Sequence, residues 1–299
     1  MKSLKRNQHY VYQHYLRAWA VNNKIICNRN GKIFPVNVSN VAVERDFYKL
    51  SELTHEHIKF IEWTISQSDS NELKEQNKKW VLIFSQYSIL KSVLREKGIN
   101  SEDITLELRK MEVEFEEDYH FDIESRAIPI IEDIRRNVDL DSLKDRKTKI
   151  DFFYYLCVQF FRTKKIKDNF ELSFSTSLPE PVGCALNILR AIFVTNVSWS
   201  ILDYKTILLI NNTDEQLITT DQPIINIAAI GKKVLEDEDM EYYYPLAPYV
   251  AILLSKSEKH SDFQSLFLNN GDVEYYNKSM EEVSHNMTFS HPYFKNHLK

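Results

Sequence analysis

Residues 201–228 read ILDYKTILLINNTDEQLITTDQPIINIA, and this stretch decides the fold. Upstream, apolar residues recur at helical spacing; here they fall into short alternating runs. Residues 206–210 and 216–220 are expected to be strands flanking Asn211-Asn212-Thr213-Asp214, a cluster of turn formers. Residues 224–228 and 250–254 read as further strands. Tyr244-Pro245-Leu246-Ala247-Pro248 is expected to set a rigid turn before the last of these. The polar, acidic residues 232–241 read as a mobile loop. Gly271-Asp272 then introduces a final helix over 273–288.

Working toward the N-terminus, a helix is expected over about 181–203 and another over about 143–172. Ser101-Glu102-Asp103 opens a long charged helix to about residue 137, with Pro129 kinking or breaking it. Residues 51–98 predict two helices with a break near 66–71. Residues 40–50 read as an extended or short helical connection. Residues 24–29 and 32–36 form a hairpin across Asn30-Gly31, which suits the positive φ angles of a type I′ turn. In residues 8–20, Val11, Tyr12, Tyr15, Leu16 and Trp19 recur at helical spacing. The order gives an α+β class: an N-terminal helix and β-hairpin, a large helical layer, a small mostly antiparallel sheet that recruits the hairpin, and a C-terminal helix. One domain over residues 1–299 is expected, mainly helical at 51–203 and mainly strand at 205–255.

Composition narrows the function. The 299 residues are 43% hydrophobic, enough for a sizeable core. Only 5 are glycine, and neither a dinucleotide-binding glycine fingerprint nor a P-loop is present. The net charge of −5 and pI near 6.0 argue against a globally basic nucleic-acid surface. Basic runs at 135–136, 144–149 and 162–167 read as solvated helix faces. Cys27, Cys157 and Cys184 lack disulfide or zinc spacing, and Cys157 and Cys184 read as small core hydrophobes. Lys2, Lys5 and Arg6 lead into a polar aromatic stretch, so a secretory signal is not expected. Nor is there an uncharged apolar run long enough to cross a bilayer. A cytoplasmic protein is expected, with no membrane partner.

The chemistry-bearing residues are polar side chains set in apolar segments, where each needs a partner. In the helix expected at 143–172, Asp151, Tyr155, Gln159 and Arg162 follow i, i+4, i+8 and i+11 spacing and form one stripe. A buried arginine there needs a carboxylate or an anion, and Asp221 and Glu62 are the leading carboxylates. His9, at the start of a helical segment, suits a general base, a metal ligand or a satisfied core histidine. Asp221, at a strand end, suits catalysis, metal binding or an Asx turn. Thr219 and Thr220 adjoin it. His9, Gln159, Arg162 and Asp221 are expected to converge. His9, Arg162 and Asp221 are the candidate catalytic residues; Gln159, Thr220 and Gln13 are the candidate ligand-binding ones. Glu44 and Asp46 project to one side of an extended segment and could bind a divalent cation, although exposed loop charges are the favoured account. His55 and His57 read as exposed on a charged helix. His285, His291 and His297 read as surface residues.

These segments resemble the bacterial domain of unknown function 4238 family. Its opening H-Y-V-P-x-x-Y-L pattern is matched by His9-Tyr10-Val11-Tyr12-Gln13-His14-Tyr15-Leu16, with Tyr12 in place of proline. Asn40-Val41-Ala42-Val43-Glu44-Arg45-Asp46-Phe47-Tyr48 looks like its second motif. Gln159-Phe160-Phe161-Arg162-Thr163 looks like its Q-x-x-R-T element. Thr219-Thr220-Asp221-Gln222-Pro223-Ile224 is similar to T-S-D-N-P-V, and Tyr244-Pro245-Leu246-Ala247-Pro248 to a P-L-S-P turn. The resemblance implies a single α+β family domain and no established reaction. It puts His9, Gln159, Arg162, Asp221 and Pro223 on motif positions.

Two functional readings follow. In the first, the chain is a phosphoesterase, a nuclease of toxin or phage-defence type acting on nucleic acid or a nucleotide. Arg162 would clamp the anion, His9 would serve as acid or base, and Asp221 would orient His9 or hold a divalent cation. In the second, the chain is a non-catalytic sensor or partner-binding protein. Its polar cluster then binds a small anionic ligand or only fixes the fold, and the 101–137 helix meets a protein partner. An open cleft around His9, Arg162 and Asp221 marks the first; a sealed, mutually paired cluster marks the second.

Overall fold

The computed structural model describes residues 4–178, 182–231 and 240–294. Most of the expected loop at 232–241, and His297, lie outside the described residues, as does the side chain of Cys184.

The helices start where their capping residues stand. Ser70 accepts from the Leu73 amide and opens α3 (Asn71–Glu96), after α1 (Gln13–Leu16) and α2 (His55–Ser66). Ser101 does the same for α4 (Glu102–Asn137), with Glu102 and Asp103 in the first turn and Arg135 and Arg136 in the last, complementing the dipole. Pro129 sits inside α4 without ending it. Asp145 caps α5 (Arg146–Phe161) through the Thr148 amide, 2.9 Å away. The helix expected at 143–172 is therefore two. Arg162 closes α5, Thr163 is extended, and α6 covers Lys164–Phe174. Thr163 leaves the helix because it is fully buried, with its hydroxyl bonded to the Phe160 carbonyl and to Gln222. The last two helices are α7 (Gly183–Ser200) and α8 (Asn270–Val283).

Residues 8–20 are not one helix. Strand β1 (Asn7–His9) pairs antiparallel with β4 (Val43–Arg45), and only α1 and a 3-10 turn at Arg17–Trp19 follow. His9 thus lies in a strand. The pairing consumes backbone groups that a helix would need, and Tyr10 N continues it to the Ala42 carbonyl at 2.9 Å.

The hairpin forms as expected from β2 (Lys24–Arg29) and β3 (Lys32–Asn37), with φ +51° at Asn30 and +81° at Gly31. It joins late strands, but in a sheet of its own with order β3-β2-β11-β6, where β6 is Thr219–Thr220 and β11 is Met287–Ser290. A second sheet has order β10-β5-β9-β8-β7, made of β5 (Lys205–Asn211), β7 (Ile225–Asn226), β8 (Glu241–Ala247), β9 (Val250–Ser255) and β10 (Ser265–Leu268). Its one parallel pair is β10 with β5. The two runs at 206–210 and 216–220 therefore separate into different sheets. Buried Asn211 drives this: its Oδ1 accepts from the Thr213 amide, and its Nδ2 donates to the Glu215 and Pro248 carbonyls, turning the chain away. The turn expected at 244–248 is mostly strand, with an irregularity between Pro245 and Ala247. Proline is tolerated because β7 pairs with Tyr242 and Tyr243, and among the described residues no ladder partner faces Pro245 on that side. The helix expected at 273–288 ends at Val283 and yields to β11.

Alternation along β5 divides the core. Leu208 and Ile210 face a cluster with α5, while Ile207 and Leu209 face Val273 and Met280 of α8. Helix α5 is buried on nearly all sides, as its apolar girth predicts: Phe152, Phe153, Tyr155, Leu156, Cys157 and Val158 are all in the core.

Candidate functional site

The end of α5 is where the chain's distant polar segments meet. Arg162 is buried there. Its Nε donates to the Tyr48 hydroxyl at 2.8 Å, Nη1 to the Glu124 carboxylate, and Nη2 to the backbone carbonyl of His9. Tyr48 itself donates to the same His9 carbonyl, at 3.0 Å. The carboxylate partner is therefore Glu124 of α4, not Asp221 or Glu62; Glu62 is exposed on α2.

Two buried amides extend the junction. Gln159 donates to the Tyr10 carbonyl (3.1 Å) and accepts from the Tyr12 amide (3.2 Å). Gln8 donates to the Val113 carbonyl (2.6 Å) and accepts from the Tyr48 amide (2.8 Å). Gln159 holds the N-terminal segment by its backbone groups, and Gln8 reaches out of that segment with its side chain to the backbone of α4 and of Tyr48.

Asp221 is buried too, but it serves another segment. Its Oδ1 accepts from the His285 amide at 2.8 Å, and its Oδ2 from the Asn286 and Met287 amides at 2.9 and 3.0 Å. Burial pushes its carboxyl above the usual aspartate range, and the amides oppose that. The Thr220 hydroxyl accepts from the Gln222 amide and donates to the Gln222 carbonyl, fixing the turn, and Gln222 reaches Thr163. The strand end is linked to Arg162 through Gln222 and Thr163, and not through the Asp221 carboxylate.

The expected convergence is thus partial. His9, Gln159 and Arg162 meet, but His9 contributes its carbonyl. Its half-buried imidazole bonds instead with the Ser39 carbonyl (3.2 Å) and Gln13 (3.3 Å), and burial lowers its pKa. Gln13 also accepts from Arg17 at 3.3 Å. Of the cation candidates, Asp46 pairs with Arg6 and Glu44 with Lys164. Among the described residues, no three His, Cys, Asp or Glu side chains are placed to hold a metal ion.

Several expected surface groups are interior. His57 is fully buried, its Nδ1 accepting from the Thr54 amide at 3.0 Å to complete the cap of α2. Arg135 is buried, donating to the Leu246 and Tyr15 carbonyls and to Glu132. In the 162–167 run, Lys165 donates to the Val283 carbonyl and Lys167 to that of Phe47. Cys27 and Cys157 are free buried thiols.

Sequence reasoning missed the rest of the cluster. On α4, Glu116, His120 and Glu124 stand at i, i+4 and i+8, all buried; on α7, Asn187 and Arg190, three residues apart, are buried too. Arg190 donates to Glu116 (3.1 Å) and Asn187 (2.6 Å). Glu116, His120, Arg162, Asn187 and Arg190 share a cavity of about 20 Å³, room for roughly one water molecule. Burial raises the Glu124 carboxyl to about 7 despite Arg162. It also raises Glu116 and pushes His120 well below the usual histidine value. The i, i+4, i+8 spacing was the available signal. It was hidden because the whole of α4 is rich in charge, and the buried face carries the same residue types as the wet one.

A model of the family described as "Protein of unknown function (DUF4238)" matches residues 7–179. No curated protein and no solved structure matches the chain. The matched stretch includes His9, Tyr48, Glu116, Glu124, Gln159 and Arg162; the motifs at 219–224 and 244–248 lie beyond it.

Proposed function

The chain belongs to the domain of unknown function 4238 family, and from the chemistry of its polar junction we propose that it is a non-catalytic binding protein. The observation that carries this reading is the commitment of Arg162: all three guanidinium nitrogens have protein partners, and the group is buried. A phosphoryl clamp needs free donors facing a cleft. Asp221 is spent in the same way on three backbone amides. The adjoining cavity suits a water-sized guest and is too small for a phosphate ester. In this reading the family residues hold the N-terminal segment, the helices and the strand ends together. Binding falls to the outer surface of α3 and α4, where a protein partner docks. A reducing, cytoplasmic setting suits the free thiols Cys27 and Cys157, and among the described residues no helix is long and apolar enough to cross a membrane.

The test is incubation of the purified protein with labelled RNA and DNA, with and without magnesium or manganese. No cleavage is expected. Metal-dependent cleavage that His9→Ala abolishes, with the melting temperature unchanged, would overturn the proposal. It would favour the nuclease reading, with its toxin or phage-defence role.

A further inference from the structure

Helix α3 leaves one face without a partner among the described residues. Its inner face is well anchored: Phe84, Ser85 and Tyr87 are buried, Asn77 donates to Asn196 at 2.8 Å, and Trp80 donates to Thr195 at 2.8 Å. Yet Leu82, Ile89, Leu90 and Val93 on the outer face are 68%, 61%, 44% and 38% exposed. Single exposed leucines are ordinary on protein surfaces; an aligned apolar strip on a firmly held helix is not.

The spacing says what fits. The outer seam runs Lys79, Leu82, Gln86, Ile89, Val93, Glu96, in alternating steps of three and four, and every one of these residues is exposed. The spacing is that of a helix-packing seam, and three of its six positions, Leu82, Ile89 and Val93, are apolar. Its order is also self-complementary. Laid antiparallel about a two-fold axis between Gln86 and Ile89, a second copy sets Leu82 against Val93, Lys79 against Glu96 and, at the centre, the stem of Gln86 against Ile89. A parallel copy would set Lys79 against Lys79 and Glu96 against Glu96. Among the described residues, the hydrogen bonds of Lys79 and Glu96 are exposed ones to Gln76 and Ser92, which an ion pair can replace.

We propose that α3 pairs antiparallel with α3 of a second copy of this chain, forming a two-fold symmetric dimer. This names the partner for the surface proposed above and rests on that reading. Apolar contact at Leu82, Ile89 and Val93 supplies the attraction, and the two Lys79–Glu96 pairs set the direction.

The test is the mass of the full chain by sedimentation or light scattering. Twice the chain's 35.4 kDa is expected. Leu82→Lys with Ile89→Lys should give a monomer with an unchanged helical spectrum and melting profile in the monomer range. Lys79→Glu and Glu96→Lys should each weaken the dimer, and the two together should restore it. A wild-type monomer at the highest soluble concentration overturns the inference, as does a dimer that survives the double lysine variant. Failure of the charge swap to restore pairing overturns the antiparallel register. The cleavage assay reports separately. A monomer that cleaves nothing sinks the pairing alone, and a dimer that cleaves nucleic acid sinks the non-catalytic reading alone.

Discussion

Arg162 and Glu124 set the energetic stakes of the interior. Taking a guanidinium and a carboxylate out of water is repaid only while both are present and their hydrogen bonds are made. Arg162→Ala is expected to cost about 3–5 kcal/mol at pH 8, by urea denaturation, because it strips partners from Glu124, Tyr48 and the His9 carbonyl together. A loss within the ordinary surface range of roughly 0.5 kcal/mol would mean the site is wetter than its burial implies. The same carboxylate gives a pH dependence. Glu124 is raised from near 4.5 to about 7 in the folded protein, mainly by burial. Between those values the native state holds a proton that the unfolded chain has released. Stability from this group is therefore full below about 4.5 and is lost as pH rises through about 7. His120, lowered by burial, works in the opposite sense, so the measurement is the difference between the parent and Glu124→Gln across pH 4.5–8. The parent should lose stability relative to the variant as pH rises. A flat difference would contradict the assignment.

At the scale of elements, Asp221 shows how one side chain fixes a strand. Its carboxylate takes the amides of His285, Asn286 and Met287, the entry to β11, and β11 in turn bridges β2 and β6. Asp221→Ala leaves those amides without their acceptor, at a cost of about 1.5–3 kcal/mol for each bond to a charged group that is not replaced. Hydrogen exchange should quicken first at 285–287 and along β11, ahead of β5 and β9. Unchanged protection at these amides would show that the backbone holds itself. The elements also mark where sequence was readable. Asn30-Gly31 and Ser101 act within a few residues of themselves, so the hairpin and the start of α4 were legible. The ends at Arg162-Thr163, at Pro245 and at Val283 were not, because each is set by a partner far along the chain or by the missing neighbour of a strand.

For the whole molecule, one apolar cluster contains Val11, Tyr15 and Trp19 near the start, Ile131 of α4, Phe153 of α5, and Ile252 of β9. Helical and strand regions that share a core should unfold together. Far-UV circular dichroism and tryptophan fluorescence are expected to report one coincident thermal transition. Two resolved transitions would divide the chain into separate folding units, against the single domain expected from its sequence.

The sequence by itself determined the α+β class, the long helix that Ser101 opens, the hairpin, and some of the polar residues too costly to bury alone. These follow from periodicity and from interactions only three or four residues long. Tertiary structure alone decided that Arg162 takes Glu124 and not Asp221, that His9 gives its carbonyl and not its ring, and that neighbouring strands enter different sheets. A buried charge accepts any partner that arrives with the right geometry. Reading along the chain put forward Asp221 and Glu62, and the packing of α4 against α5 brings Glu124 within hydrogen-bonding distance instead.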